Sequence, residues 1–254
     1  MKRMNNFYKL SVSVLTLALF GCGGGSSSDS VIPMPPVVPT PPAVEAQTVA
    51  ALQGIWQSPA GAASTISAIV LPDGTSWSVV TTGTTTSLLK TSFVAQSSGF
   101  AGTGRAYTLG TITVDDITAT ASVVEKTSMS GMVSRAGQTE SYALSYQSRY
   151  DTPTTLADLA GTWSATLGPG VVTWVIAGDG VLTGSRTTGC TYSGSLSLRS
   201  EAKSVVDVAI TETCSGTDTL LSGVAALGVG KTNLGMVMTT PNDAAGVAVS
   251  LARK

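Results

Sequence analysis

The sequence predicts an all-β protein: two tandem antiparallel eight-stranded small barrels or sandwiches behind a disordered stalk. Three observations carry that expectation. Charged residues make up only 11% of the 254-residue chain, and Gly, Ser, Thr, Ala and Val stand where Glu/Lys-rich helical faces would be. β-branched side chains suit a pleated surface, and the missing charged faces argue against helices. The stretch beyond the stalk also repeats. Leu52-Gln53-Gly54-Ile55-Trp56 recurs as Leu159-Ala160-Gly161-Thr162-Trp163, and Ala143 to Arg149 parallels Ala248 to Lys254. Finally, Asp73-Gly74 and Asp179-Gly180 sit at matching places between apolar runs, and such pairs mark tight hairpins.

Taken in order, residues 1–21 read as a signal peptide and residues 22–48 as a Gly/Ser and Pro-rich tether. Gly23 to Ser30 is flexible, with a root-mean-square span of about 16 Å. Val31 to Val44 holds Pro33, Pro35, Pro36, Pro39, Pro41 and Pro42, a polyproline II spacer of roughly 40 Å. The first β domain is expected over 49–152, with strands near 53–57, 64–71, 75–82, 85–95, 99–109, 116–125, 128–135 and 140–150. The second is expected over 153–254, with strands near 161–167, 171–177, 181–187, 189–198, 205–214, 219–229, 232–240 and 245–253. The boundary falls near Asp151-Thr152-Pro153, and Thr154 to Asp158 forms a short helical turn. Each repeat can bury a modest core, with Trp56 and Trp163 at equivalent ends.

The amino-terminal segment has its own signature. Lys2, Arg3 and Lys9 precede an apolar run from Leu10 to Phe20, too short to span a bilayer as a helix. The run closes on Leu19-Phe20-Gly21-Cys22, which resembles the lipobox of bacterial lipoproteins. That resemblance implies cleavage before Cys22 and acylation of this residue, palmitate included, so that a membrane anchor is the one expected partner. Gly23, not aspartate, follows the cysteine, which within that resemblance points to the outer membrane, on its periplasmic face or at the cell surface. The opening of the second repeat, Gly161-Thr162-Trp163 with Gly178 to Gly184, resembles the first strands of avidin-type and lipocalin-type barrels, which use Gly-x-Trp to plug one barrel end. The resemblance implies barrel architecture and no biotin site, because nothing after Trp174 is tryptophan.

Composition excludes several chemistries. Histidine is absent, which removes Ser-His-Asp and Cys-His catalysis and histidine metal ligation. With 14 Lys+Arg against 15 Asp+Glu, and Lys2, Arg3 and Lys9 lost on cleavage, the mature surface is mildly acidic and offers no basic face to nucleic acid. No cofactor and no metal site is expected. Asp115-Asp116 would point to opposite faces of a strand, so the two cannot share a proton or a metal.

Three motif matches read as decoys. Ala225 to Thr232 fits a relaxed phosphate-loop pattern, but Asn233 to Thr240 continues as a strand where a phosphate loop needs a helix. Ser87-Leu88-Leu89-Lys90 and Ser200-Glu201-Ala202-Lys203 fit Ser-x-x-Lys; an exposed strand and a hairpin turn account for them.

The positive expectations concern the second repeat. Cys190 and Cys214 are a candidate disulfide in an oxidising compartment. Even positions Cys190, Tyr192, Leu196 and Leu198 form one apolar row, and Val206, Val208, Ile210 and Cys214 form the next. Pairing Leu198 with Val206 aligns both rows and sets Cys190 against Cys214, whereas a one-residue slip breaks the alignment. Glu212 falls in the inward row with Tyr192 as its cross-strand neighbour. A solvated rim carboxylate or a ligand contact is expected there, because an inward charge needs a partner or water. The functional expectation is a lipid-anchored, non-enzymatic binding or structural module of the cell envelope. A small-ligand carrier using a barrel interior is the alternative, and an extracytoplasmic hydrolase a distant third.

Overall fold

The computed structural model describes residues 47–111 and 113–254; the signal peptide, Cys22 and almost all of the tether lie outside the described residues. The first half comprises β1 (Gly54–Gln57), β2 (Ser64–Val70), β3 (Thr75–Thr82), β4 (Thr85–Gln96), β5 (Gly99–Thr108), β6 (Val114–Val124), β7 (Ser128–Arg135) and β8 (Gln138–Tyr146). The second comprises β9 (Gly161–Leu167), β10 (Gly170–Ile176), β11 (Val181–Arg186), β12 (Thr191–Leu198), β13 (Val205–Cys214), β14 (Thr217–Leu227), β15 (Asn233–Thr239) and β16 (Gly246–Arg253). Each set closes on itself as an antiparallel barrel. Closure comes from β1 pairing with β8, at Trp56↔Tyr146, and from β9 pairing with β16, at Trp163↔Arg253. A sandwich is thereby ruled out.

The repeat is followed pair by pair. Trp56 and Trp163 are both fully buried. Each donates its indole N–H to a carbonyl in the preceding turn, Trp56 to Leu52 at 2.9 Å and Trp163 to Leu159 at 2.8 Å. A side chain from the last strand covers each ring: Tyr146 edge-on at 5.3 Å, and the Arg253 guanidinium at 4.2 Å from the Trp163 centroid. The glycine of Gly-x-Trp makes room for that cover. A Cβ on Gly54 would lie 2.7 Å from the Tyr146 ring, and one on Gly161 would lie 2.9 Å from Arg253 Nη1.

The expected helical turn is α1 (Leu156–Leu159), started by a capping box between Thr155 and Asp158. One expected strand ends early. The chain leaves β8 at Tyr146 and turns through a three-ten segment, Ser148–Asp151, because Tyr150 must dive into the contact between the barrels.

That contact is absent from the sequence reading. Outward residues Ile55, Trp77, Leu88 and Tyr107 of the first barrel form one buried cluster with Val205, Val224 and Val237 of the second. Lys90 reaches across to Asp243 at 2.8 Å, and the Tyr107 hydroxyl donates to the Asp243 carbonyl at 3.1 Å. Asp151, expected only as a boundary residue, accepts from Lys203 at 2.8 Å and from the Tyr146 hydroxyl at 2.9 Å. Ser87 to Lys90 is therefore not the exposed strand expected; at Leu88 and Lys90 the outward face of β4 meets the second barrel, and it becomes exposed again from Ser92 onward.

Candidate functional site

In the first barrel the inward row at the middle strands is small: Ala68, Ser76, Ser78, Ala106, Ala119 and Ala121. Small side chains on facing strands leave space that a barrel of this size otherwise fills. At the end away from Trp56 a hollow of about 380 Å³ opens, lined not by these residues but by Ile66, Val80, Ser87, Leu89, Val133 and Tyr142. It continues inward as a narrower space of about 50 Å³ that shares Ile66, Val80, Leu89, Val133 and Tyr142. The depth is aliphatic and the rim is polar, with Ser87, Arg135, Gln138 and Glu140 around the opening.

Arg135 organises the rim. Its Nε donates to Asp115 at 2.7 Å, Nη1 to the Ser87 hydroxyl at 3.2 Å and Nη2 to the Thr108 hydroxyl at 2.7 Å. One guanidinium thus ties β4, β5, β6 and β7 together while remaining 29% exposed. The Tyr142 hydroxyl donates to the Thr120 carbonyl, and burial pushes its pKa up to about 12, so it is a neutral donor at physiological pH.

The residues singled out from the sequence lie in the other barrel. Tyr192 and Glu212 are opposed across β12 and β13, with the Tyr192 hydroxyl donating to Glu212 Oε1 at 2.6 Å. Burial, then this bond, raises the Tyr192 phenol well above its ordinary value. Trp174 packs edge-on against Tyr192 at 5.4 Å. Glu212 is half-buried and meets Tyr192 as the expected cross-strand neighbour, while the Trp174 indole N–H beside them is buried without a partner. Cys190 and Cys214 form the disulfide, in the register Leu198↔Val206 and Tyr192↔Glu212, with Cα atoms 4.4 Å apart. Their ligand atoms and that of Glu212 lie within 4.8 Å of one another, but bonded sulfurs offer no thiolate to a metal.

The motif matches resolve as structure. Ala225 to Thr232 runs from β14 through a short three-ten turn into β15, without a helix to face a phosphate, and Lys231 pairs with Asp158. Ser87 faces the hollow whereas Lys90 faces the second barrel, so neither can activate the other. Ser200 to Lys203 lies in the turn between β12 and β13. Asp115 and Asp116 separate as expected, the first to Arg135 inside and the second to Arg105 outside at 3.7 Å.

The sequence reading missed Arg135, Tyr142 and the hollow itself. A contrast lies in the narrow inner space, where Ser76 stands at the position occupied by Leu182 in the second barrel, and it shows only once the strand pairs of the two barrels are matched. The chain matches no protein-family model, no curated protein and no solved structure. Function therefore rests on this geometry.

Proposed function

We propose that this protein is a lipid-anchored component of the cell envelope, held in the outer membrane through Cys22, whose folded head is a non-enzymatic binding module. The first barrel is its ligand-carrying part. One observation supports this above the others: a hollow of about 380 Å³ opens at the end of that barrel, within the size range of small-molecule sites. Its aliphatic depth and its rim of Arg135, Ser87 and Glu140 suit a small amphipathic molecule inserted apolar end first. Disengaging one Arg135 N–H from Ser87 would offer a charged donor to a polar head group.

Native mass spectrometry of the full chain purified from membranes tests the carrier role. A non-covalently held small molecule is expected, and Val133→Phe, which fills the hollow, should abolish it. The same molecule retained at full occupancy in Val133→Phe would sink this reading. For the anchor, Cys22→Ser should accumulate unprocessed chain without acyl label; wild-type acylation of that variant would end the envelope assignment.

A further inference from the structure

A second cavity lies outside both barrels. The outward faces of β1, β2 and β3 and those of β15 and β16 do not meet along their whole length, and they leave a cleft of about 460 Å³. Its walls are chiefly aliphatic and aromatic, with Ile69, Trp77 and Val79 on one side and Val237 and Ala248 on the other. Arg149, on the three-ten segment that joins the barrels, reaches into it.

Arg149 is poorly provided for by the protein. Its Nη1 donates to the Leu227 carbonyl at 3.3 Å, and its Nε is buried without a partner. Among the described residues no carboxylate forms an ion pair with it. The acid nearest in the chain, Asp151, is engaged by Lys203 and Lys126. Burial disfavours the Arg149 charge, as the lowered pKa of the group also indicates. A half-buried guanidinium with a single protein acceptor keeps N–H groups to offer a planar anion, since carboxylates accept two parallel N–H bonds from such a group.

We infer that the cleft between the barrels is a second binding site, for a linear aliphatic carboxylate whose head pairs with Arg149 and whose tail lies between Trp77 and Ala248. The chemistry follows from the two ends of the cleft, one cation at the hinge and aliphatic walls beyond it. The site stands apart from the hollow of the first barrel, because its walls are the outer faces of the strands.

Calorimetric titration of the full chain with decanoate, below its micelle-forming concentration, tests this, with decanol as the uncharged probe of equal tail. Decanoate should bind more tightly than decanol. Arg149→Gln should weaken decanoate about tenfold or more and leave decanol unchanged, and Arg149→Lys should recover part of the loss. Ala248→Phe, which fills the cleft without touching Arg149, should weaken both probes. All titrations use the Val133→Phe background, which closes the first-barrel hollow to either probe. In that background, decanoate that fails to bind, or that still binds after Ala248→Phe, would overturn the assignment, as would equal affinity for the two probes. Circular dichroism of Arg149→Gln separates lost binding from lost fold, and a misfolded variant leaves the decision to Ala248→Phe and the decanol comparison.

Discussion

The two barrels close their open ends with different chemistry at the same pair of positions. In the first barrel Ser87 and Thr108 face each other across β4 and β5, bridged by the Arg135 guanidinium, which is itself held by Asp115. Matching the strand pairs of the repeat places Cys190 where Ser87 stands and Cys214 where Thr108 stands, and there the bridge is a disulfide. A covalent bridge pins the two strands permanently; an ion pair with two hydroxyl contacts can be exchanged for contacts to a ligand. The difference continues inward. Trp174, Met236 and Met238 of the second barrel occupy the positions of Ala68, Gly131 and Val133 in the first. Trp174 lies where a Cβ on Gly184 would come within 2.3 Å of it, so that glycine is the room the indole requires. One fold thus carries larger inward side chains at these positions in one copy than in the other.

The ends plugged by tryptophan are the control for this comparison, because there the copies agree. Trp56→Ala and Trp163→Ala should each cost about 3–5 kcal/mol in denaturant unfolding, the range for truncating a buried aromatic ring. A loss confined to one of them would show that the repeat is structural in appearance only.

Breaking the two bridges should separate the barrels. Removing the disulfide with Cys190→Ser and Cys214→Ser should cost about 3.5 kcal/mol, the chain-entropy value for a loop closed over a separation of 24 residues. Arg135→Met, at a partly exposed ion pair, should cost only about 1 kcal/mol. Equal losses in urea unfolding would contradict the contrast between a permanent bridge and an exchangeable one.

Exchanging side chains between equivalent core positions sharpens the contrast between filled and hollow interiors. Met238→Val should cost about 1–2 kcal/mol, roughly a buried methylene together with the cavity it leaves. Val133→Met should be neutral or stabilising by up to about 1 kcal/mol, because the added atoms enter existing space. A strongly destabilised Val133→Met would mean that the first barrel has no room to spare.

The smallest effect belongs to the joint between the barrels. Hydrogen bonds from Lys203, then from Tyr146 and Lys126, outweigh burial and hold the Asp151 carboxyl at about 2 in place of 3.8. A depressed carboxylate contributes stability above its unfolded value and loses it as pH falls through the folded one. The midpoint of thermal unfolding should therefore fall between pH ~4 and ~2, and less steeply in Asp151→Asn. An identical pH profile for that variant would remove Asp151 from the joint.

The candidate sites were less legible than the fold. Tyr192 and Glu212 stood out because a carboxylate in an apolar row is conspicuous, and the same conspicuousness reflects a pair that satisfies itself. The hollow is walled by ordinary inward residues, Ile66, Val80, Leu89 and Val133, which strand alternation places inside the barrel without showing that the space between them is empty. Arg149 lies at the end of a run that reads as a continuing strand, so its place in the cleft between the barrels could not be anticipated.

Taken alone, the amino-acid order determined the all-β class, the duplication, the strands to within a few residues and the register that joins Cys190 to Cys214. All of these rest on interactions between neighbours along the chain: a period-two alternation, a glycine turn, the phase of two apolar rows in one hairpin. Barrel closure, the buried cluster of Ile55, Trp77 and Tyr107 with Val205, Val224 and Val237, and the two cavities were decided only by the tertiary structure. The physical reason is that alternation assigns a residue to a face of its strand and carries no information about what covers that face. The cover, or the space left in its place, comes from strands far away in sequence.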